Sequence, residues 1–278
     1  MSELSEKARS QTKPVEVGVK IYLDGFPKSG LHMLNLMAAC IAIPMLEKNW
    51  LGNLQKNSWG RGIGDQDRFL KVIDLLPPGQ FIKGHCAYTP EVEQRLNELG
   101  AAMVFLYRDL RDVTISQAFH ILHENDDQFV HPGKDQYRAL DSFEDVLIAV
   151  IEGIGEYPGI FERWKMFEPW FDVPWVMKLS YESMREDTEK TADRFCRYVY
   201  HRTISALGYS VELNEDDIQS AVKAIVAATK RTELSPTFRK GIVGNYKSYF
   251  TPRVQQCFDE HAGDWLKRMK YDGNRKEN

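Results

Sequence analysis

Apolar residues in this chain gather into short runs that alternate with longer amphipathic stretches. Residues 17–23 (VGVKIYL) are short, β-branched and end at Asp24-Gly25, which predicts a buried strand. The turn Gly25 to Gly30 follows, and then a helical stretch rich in Leu, Met and Ala to about Glu47. Residues 50–67 are rich in Gly and Asn and read as a connection. Phe81-Ile82-Lys83 predicts a second short strand, and Thr89-Pro90 opens a helix with a capping hydroxyl and a proline at its first position. Residues 102–107 (AMVFLY) predict a third strand, with a helix from about Asp112. Beyond it the periodicity is mostly helical, over 142–154, 159–170, 188–207, 215–229 and 252–269, interrupted by one buried strand at 175–179. Alternation of this kind predicts an α/β fold, a central parallel β-sheet flanked by helices, with a helical C-terminal half. It is read as a single domain over 16–270, between a flexible tail at 1–15 and a short tail at 271–278.

Composition narrows the ligands. Net charge is −4, which argues against a general phosphate-backbone binder, so no nucleic acid partner is expected. A local basic pocket stays compatible with that balance. The four cysteines, Cys40, Cys86, Cys196 and Cys257, form no CxxC pair, so a reducing compartment is the simpler reading and no metal is expected. The N-terminus lacks a hydrophobic signal segment, and the longest apolar stretch, residues 31–46, is broken by Asn35 and Pro44. The expectation is a cytoplasmic protein without a membrane partner.

Candidate chemistry concentrates at the first strand–turn–helix. A strand running into a Gly-containing turn aims the first amides of the next helix at one spot, where the helix dipole also favours an anion. Lys28 adds a positive charge there and Ser29 a hydroxyl donor. The loop is not a Walker A motif, because its order is Lys28-Ser29-Gly30 and no GKS or GKT occurs in the chain. Gly60-x-Gly62-x-Gly64 lacks a preceding hydrophobic strand and reads as a loop.

Phe26-Pro27-Lys28-Ser29-Gly30 resembles the 5′-phosphosulfate loop, PKSGTTW, of the PAPS-dependent sulfotransferases. Residues 107–116 (YRDLRDVTIS) resemble the 3′-phosphate motif of that family, with Arg108 and Ser116 eight residues apart. Residues 239–247 (RKGIVGNYK) resemble its C-terminal RKGxxGDWK signature, and Tyr181-Glu182-Ser183-Met184 is similar to its YED-type segment. The resemblance runs over nearly the whole chain. It implies a P-loop-like sulfotransferase fold, PAPS as donor and PAP as product, with a small-molecule acceptor. Pro27, Lys28, Ser29, Gly30, Leu31 and His32 would then hold the phosphosulfate, and Arg108, Ser116, Arg239, Lys240 and Gly241 the 3′-phosphate. Arginine suits phosphate because its planar donors bind two oxygens at once. Two family threonines are replaced here by Leu31 and His32, and the adenine-stacking tryptophan by Met33. Tyr181 would contact the base, with Arg231 a candidate for the second stacking position.

Phe81-Ile82-Lys83-Gly84-His85 is similar to the family's VKTH segment, which implies His85 as base with Lys28 and Lys83 as catalytic cations. Lys83 and His85 are two apart in a strand and so share a side. The implied reaction is in-line sulfonate transfer to a hydroxyl or amine. Residues 120–138 carry Glu124, Asp126, Asp127 and Asp135 beside His123 and His131, which suggests either a solvated loop or a pocket for a cationic, guanidinium-type metabolite. Two other readings stay open, a non-catalytic PAP- or nucleotide-binding module and a P-loop kinase. Phe258, Trp265 and Met269 form a C-terminal apolar stripe, read as core, with a homodimer face as the alternative.

Overall fold

The structure, a computed structural model, describes residues 18–41, 43–44, 50–54, 64–123, 131, 133–207, 214–230 and 241–272. The elements open with β1 (Ile21–Gly25), α1 (Leu31–Ile41), β2 (Ile43–Pro44), β3 (Trp50–Leu54), α2 (Gly64–Leu75) and β4 (Gln80–Cys86). Then come α3 (Pro90–Glu98), β5 (Ala102–Tyr107), α4 (Leu110–His123), α5 (Lys134–Arg138) and α6 (Phe143–Glu152). The short strands β6 (Gly153–Ile154) and β7 (Tyr157–Pro158) precede α7 (Ile160–Lys165) and β8 (Met177–Ser180). The last helices are α8 (Tyr181–Glu186), α9 (Thr188–Leu207), α10 (Glu215–Thr229), α11 (Pro252–Ala262) and α12 (Trp265–Arg268).

The chain divides into two compact units, one of residues 1–57, 61–108 and 166–240, the other of 58–60, 109–165 and 241–278. The first unit holds the sheet, in the order β2-β4-β1-β5-β8, with β3 also paired to β4, and every pairing is parallel. All five residues of β1 are buried, as befits a central strand covered on both faces. Its helices stop and start on local signals. Thr89 caps α3 through Val92 N–H with Pro90 in the first turn, and Asn214 caps α10 through Asp216 N–H. Tyr198 of α9 ties down the start of β5, its hydroxyl accepting from Met103 N–H and lying 2.8 Å from Met103 O.

The second unit is helical. Ser142 caps α6 through Asp145 N–H, and Thr251 caps α11 through Val254 N–H. Phe258, Trp265 and Met269 are buried, with Phe161 edge-on to Phe258 and Trp164 edge-on to Trp265. The C-terminal stripe is therefore core in this unit, as its spacing suggests.

Several expectations change, the first being the helix expected to about Glu47, which ends at Ile41 because Ile43–Pro44 pairs with β4. Residues 50–54 form β3, where a connection was expected, because the partner that makes them a strand, β4, lies some thirty residues downstream. Gly64 begins a helix that the Gly-rich composition concealed. The helix expected over 159–170 is α7 followed by a 3-10 turn at Glu168–Asp172, and that over 252–269 is broken at Gly263. The rest of the Gly60-x-Gly62 loop, and the tails at 1–15 and beyond 272, lie outside the described residues.

Candidate active site

The site begins where β1 ends. Phe26 N–H donates to Leu106 O at 3.1 Å, so the loop leaves the sheet still tied to β5. Ser29 N–H then turns back to Phe26 O at 3.1 Å, and Met33 N–H to Gly30 O at 2.9 Å starts α1. Lys28 has a φ of +70°, left-handed for a residue with a side chain. Such a conformation costs about 1–3 kcal/mol and turns successive amides toward one concavity, an anion nest. The first amides of α1 have no partner within the helix, and its dipole adds to the same spot. Ser29 is fully buried, and among the described residues its hydroxyl has no hydrogen-bond partner; the His32 Nδ1 atom is likewise buried and unpartnered there. Two polar atoms left waiting beside a nest suit an anionic group such as a phosphosulfate.

Gly30 has a φ of +98°, and a Cβ there would fall 2.5 Å from Tyr181 Cδ2. The ring of Tyr181, at the start of α8, is thus pressed against the loop. On that ring lies the Arg108 guanidinium, its Cζ 4.3 Å from the centroid. Ser180 caps α8 through Ser183 N–H and so fixes where the ring stands. Tyr181 therefore couples the loop to Arg108, a role that no local sequence pattern announces.

His85 sits near the end of β4, half-buried, with its Nδ1 2.5 Å from Gly25 O. A carbonyl only accepts, so Nδ1 carries the proton and the ring lone pair falls on Nε2. Burial, joined by Lys28, His32 and Lys83, lowers the His85 pKa to about 4, against the pull of the Gly25 carbonyl. His32 is lowered to about 4 by burial and then by Lys83 and Lys28. Lys83 is buried and lowered to about 8 by desolvation. The first unit thus gathers Lys28, His32, Lys83 and His85 within electrostatic reach of one loop, with both imidazoles neutral at physiological pH.

Pro27 lies in the loop's turn, and Leu31 and Met33 are buried in the first turn of α1, their side chains contributing to the core. Ser116 is half-buried on α4 and Gly241 has a φ of +61°, both in the second unit. There Asp112, itself buried, accepts Gly244 N–H on Oδ2 and Tyr246 N–H on Oδ1, each at 2.8 Å, and Arg111 lies over the Tyr246 ring. This anchors the glycine-rich segment following Gly241 onto α4, and no local pattern pointed to it. Arg231, Arg239 and Lys240 lie outside the described residues, as do Glu124, Asp126 and Asp127. Asp135 is exposed on α5, and His131 is buried, its Nδ1 accepting Gly133 N–H.

A family model described as a sulfotransferase domain matches residues 20–270. The chain belongs to that family. Curated relatives include sulfotransferase 1E1 of Bos taurus, 25% identical over 61% of this chain and 56% of its own length. Sulfotransferase 1E1 of Homo sapiens is 23% identical over 71% of the chain and 66% of its own length. The chain thus aligns with somewhat over half to two thirds of these relatives. Among solved structures, mouse sulfotransferase SULT7A1 complexed with PAP superposes with a TM-score of 0.58 at 18% identity, covering 98% of this chain and 90% of that one. Retinol dehydratase, complexed with androsterone and inactive cofactor PAP, gives 0.54 at 16% identity, covering 95% and 85%. At these identities the superpositions speak for the fold, a sulfotransferase α/β architecture. Among the described residues no helix is long and apolar enough to cross a membrane.

Proposed function

We propose that this protein transfers the sulfonate of PAPS to a hydroxyl or amine of a small molecule, with His85 as general base. The observation that carries the reading is the neutral His85 ring, its tautomer set by Gly25 O, beside two lysines and the Ser29 loop. PAPS supplies a sulfonate activated by a phosphate leaving group, and the unpartnered Ser29 hydroxyl and the nest at Lys28 suit its anionic end.

Nε2 of His85 takes the acceptor proton as attack on sulfur develops, a step worth about 10²–10⁴-fold in rate. Lys28 neutralises charge growing on the bridging oxygen, and Lys83 stabilises the oxygens in flight. Lys83 acts from a desolvated position, where such electrostatic help is larger than in water. Ser29 orients the donor beside Lys28. Arg108, braced by Tyr181, holds the 3′-phosphate from the other end. The test is a mass-spectrometric screen of an acceptor library with PAPS, read as gain of one sulfonate. Transfer that is lost in His85→Ala supports the reading. Full transfer by His85→Ala rejects the base, and PAP binding without transfer to any acceptor favours a non-catalytic module.

A further inference from the structure

We propose that Asp24 is a positioning residue, which fixes the His85 imidazole by bolting the end of β4 to the end of β1. The inference rests on the reading of His85 as the base. Its ground is a gap in the sheet. The β1–β4 ladder pairs Ile21 with Phe81, Tyr22 with Ile82 and Leu23 with Lys83, and there it stops. On its other side β1 stays paired with β5 two residues further, to Gly25 opposite Leu106. His85 therefore emerges where β4 has lost its backbone ladder to β1 and keeps one only to β3, with Asn53 opposite His85.

Two side chains close that gap. Asp24, with no solvent exposure, accepts Cys86 N–H at 2.9 Å and Gly25 N–H at 2.8 Å, both on Oδ1. The Cys86 amide belongs to the peptide that leaves His85, so Asp24 pins the histidine's backbone while Gly25 O pins its ring. Gly25 O is in turn part of the peptide whose N–H, on Phe26, is bound to Leu106 O. The histidine is thus referenced, through one carboxyl and one carbonyl, to the central strands. On the far side of the bridge, Cys86 O accepts Trp170 Nε1–H at 3.0 Å.

Burial favours the uncharged form of this carboxyl. Its neighbours are the Tyr22 hydroxyl and the Cys86 thiol, and burial raises its pKa well above the ordinary carboxylate range. A neutral acid offers Oδ1 as a carbonyl-type acceptor, which an asparagine reproduces. A charge-based partnership with His85 would not survive that exchange, so the two roles separate cleanly.

The experiment uses the full chain, labelled with ¹⁵N at histidine, and compares the parent with Asp24→Asn, Asp24→Ala and His85→Gln. The His85→Gln spectrum assigns the His85 ring signals. Expected is an Nδ1–H tautomer in the parent, kept in Asp24→Asn and replaced by a tautomer mixture in Asp24→Ala, with PAP affinity by calorimetry within about threefold throughout. In turnover, Asp24→Ala loses at least about tenfold in kcat at unchanged acceptor KM, and Asp24→Asn restores it. Loss of the tautomer or of kcat in Asp24→Asn overturns the proposal, even if Asp24→Ala does not fold. So does a folded Asp24→Ala with the parent's tautomer. Turnover that survives His85→Gln would instead overturn the base reading and leave the tautomer result standing.

Discussion

Replacing Gly30 by alanine loads the phosphate-type loop with two costs of separate origin. One is conformational: at a φ of +98° an L-residue sits outside its allowed wells, a strain of about 1–3 kcal/mol. The other is steric. The new methyl would lie 2.5 Å and 2.7 Å from two ring carbons of Tyr181, distances that real Cβ atoms do not tolerate. That ring is buried, and the Arg108 guanidinium lies 4.3 Å from its centroid, so it moves only by disturbing Arg108. Loss of a cation–π contact adds about 0.5–2 kcal/mol, which brings the expected destabilisation to about 1.5–5 kcal/mol. Urea unfolding of Gly30→Ala, Tyr181→Ala and the double variant separates the two costs. Tyr181→Ala alone costs about 3–5 kcal/mol as a buried aromatic truncation. In the double variant the methyl has nothing to strike, so the total falls short of the sum by at least about 1 kcal/mol while the backbone strain remains. PAP affinity of Gly30→Ala falls more than about tenfold, because the nest and Arg108 are disturbed together. Strict additivity, or an alanine variant with the parent's midpoint and slope, refutes the stacking of loop, ring and arginine.

Other predictions follow from charge and burial. The pH profile of kcat/KM has its acid limb near pH 4 and its alkaline limb near pH 8, from His85 losing its base form below and Lys83 its charge above; an acid limb near 6.5 would contradict the desolvated ring. Lys83 binds its proton less tightly folded (about 8) than unfolded (10.5), so the unfolded chain holds more protons between these values and stability rises with pH across that window. Lys83→Met accordingly gains up to roughly 3 kcal/mol at neutral pH while losing transfer activity, a gain that fades as pH approaches 10.5 and is read by urea unfolding at pH 7 and pH 10. Asp112→Asn destabilises by about 1–3 kcal/mol, since Asp112 uses one oxygen for each of two backbone N–H groups and an amide turns a donor toward one of them; an unchanged unfolding midpoint would discount that anchor.

What the chain determines by itself is local. The buried run ending at Asp24-Gly25, the caps at Thr89 and Ser142, and the helices at Thr188–Leu207 and Glu215–Thr229 depend on neighbours within a turn or two, so their residues alone announce them. The same holds for the loop Phe26 to Gly30 and for Lys83 and His85 on one strand, whose order is itself the motif. Tertiary structure decided the rest, because the partners lie far along the chain. Residues 50–54 are a strand only because β4 is there to pair with them. The proton of His85 is assigned by a carbonyl 60 residues away, and the Asp24 carboxyl becomes a bolt through an amide 62 residues distant. Asp112 anchors a turn 132 residues downstream. Hydrogen-bond geometry and desolvation arise from what surrounds a group in space, and no periodicity along a chain encodes which distant atom will stand there.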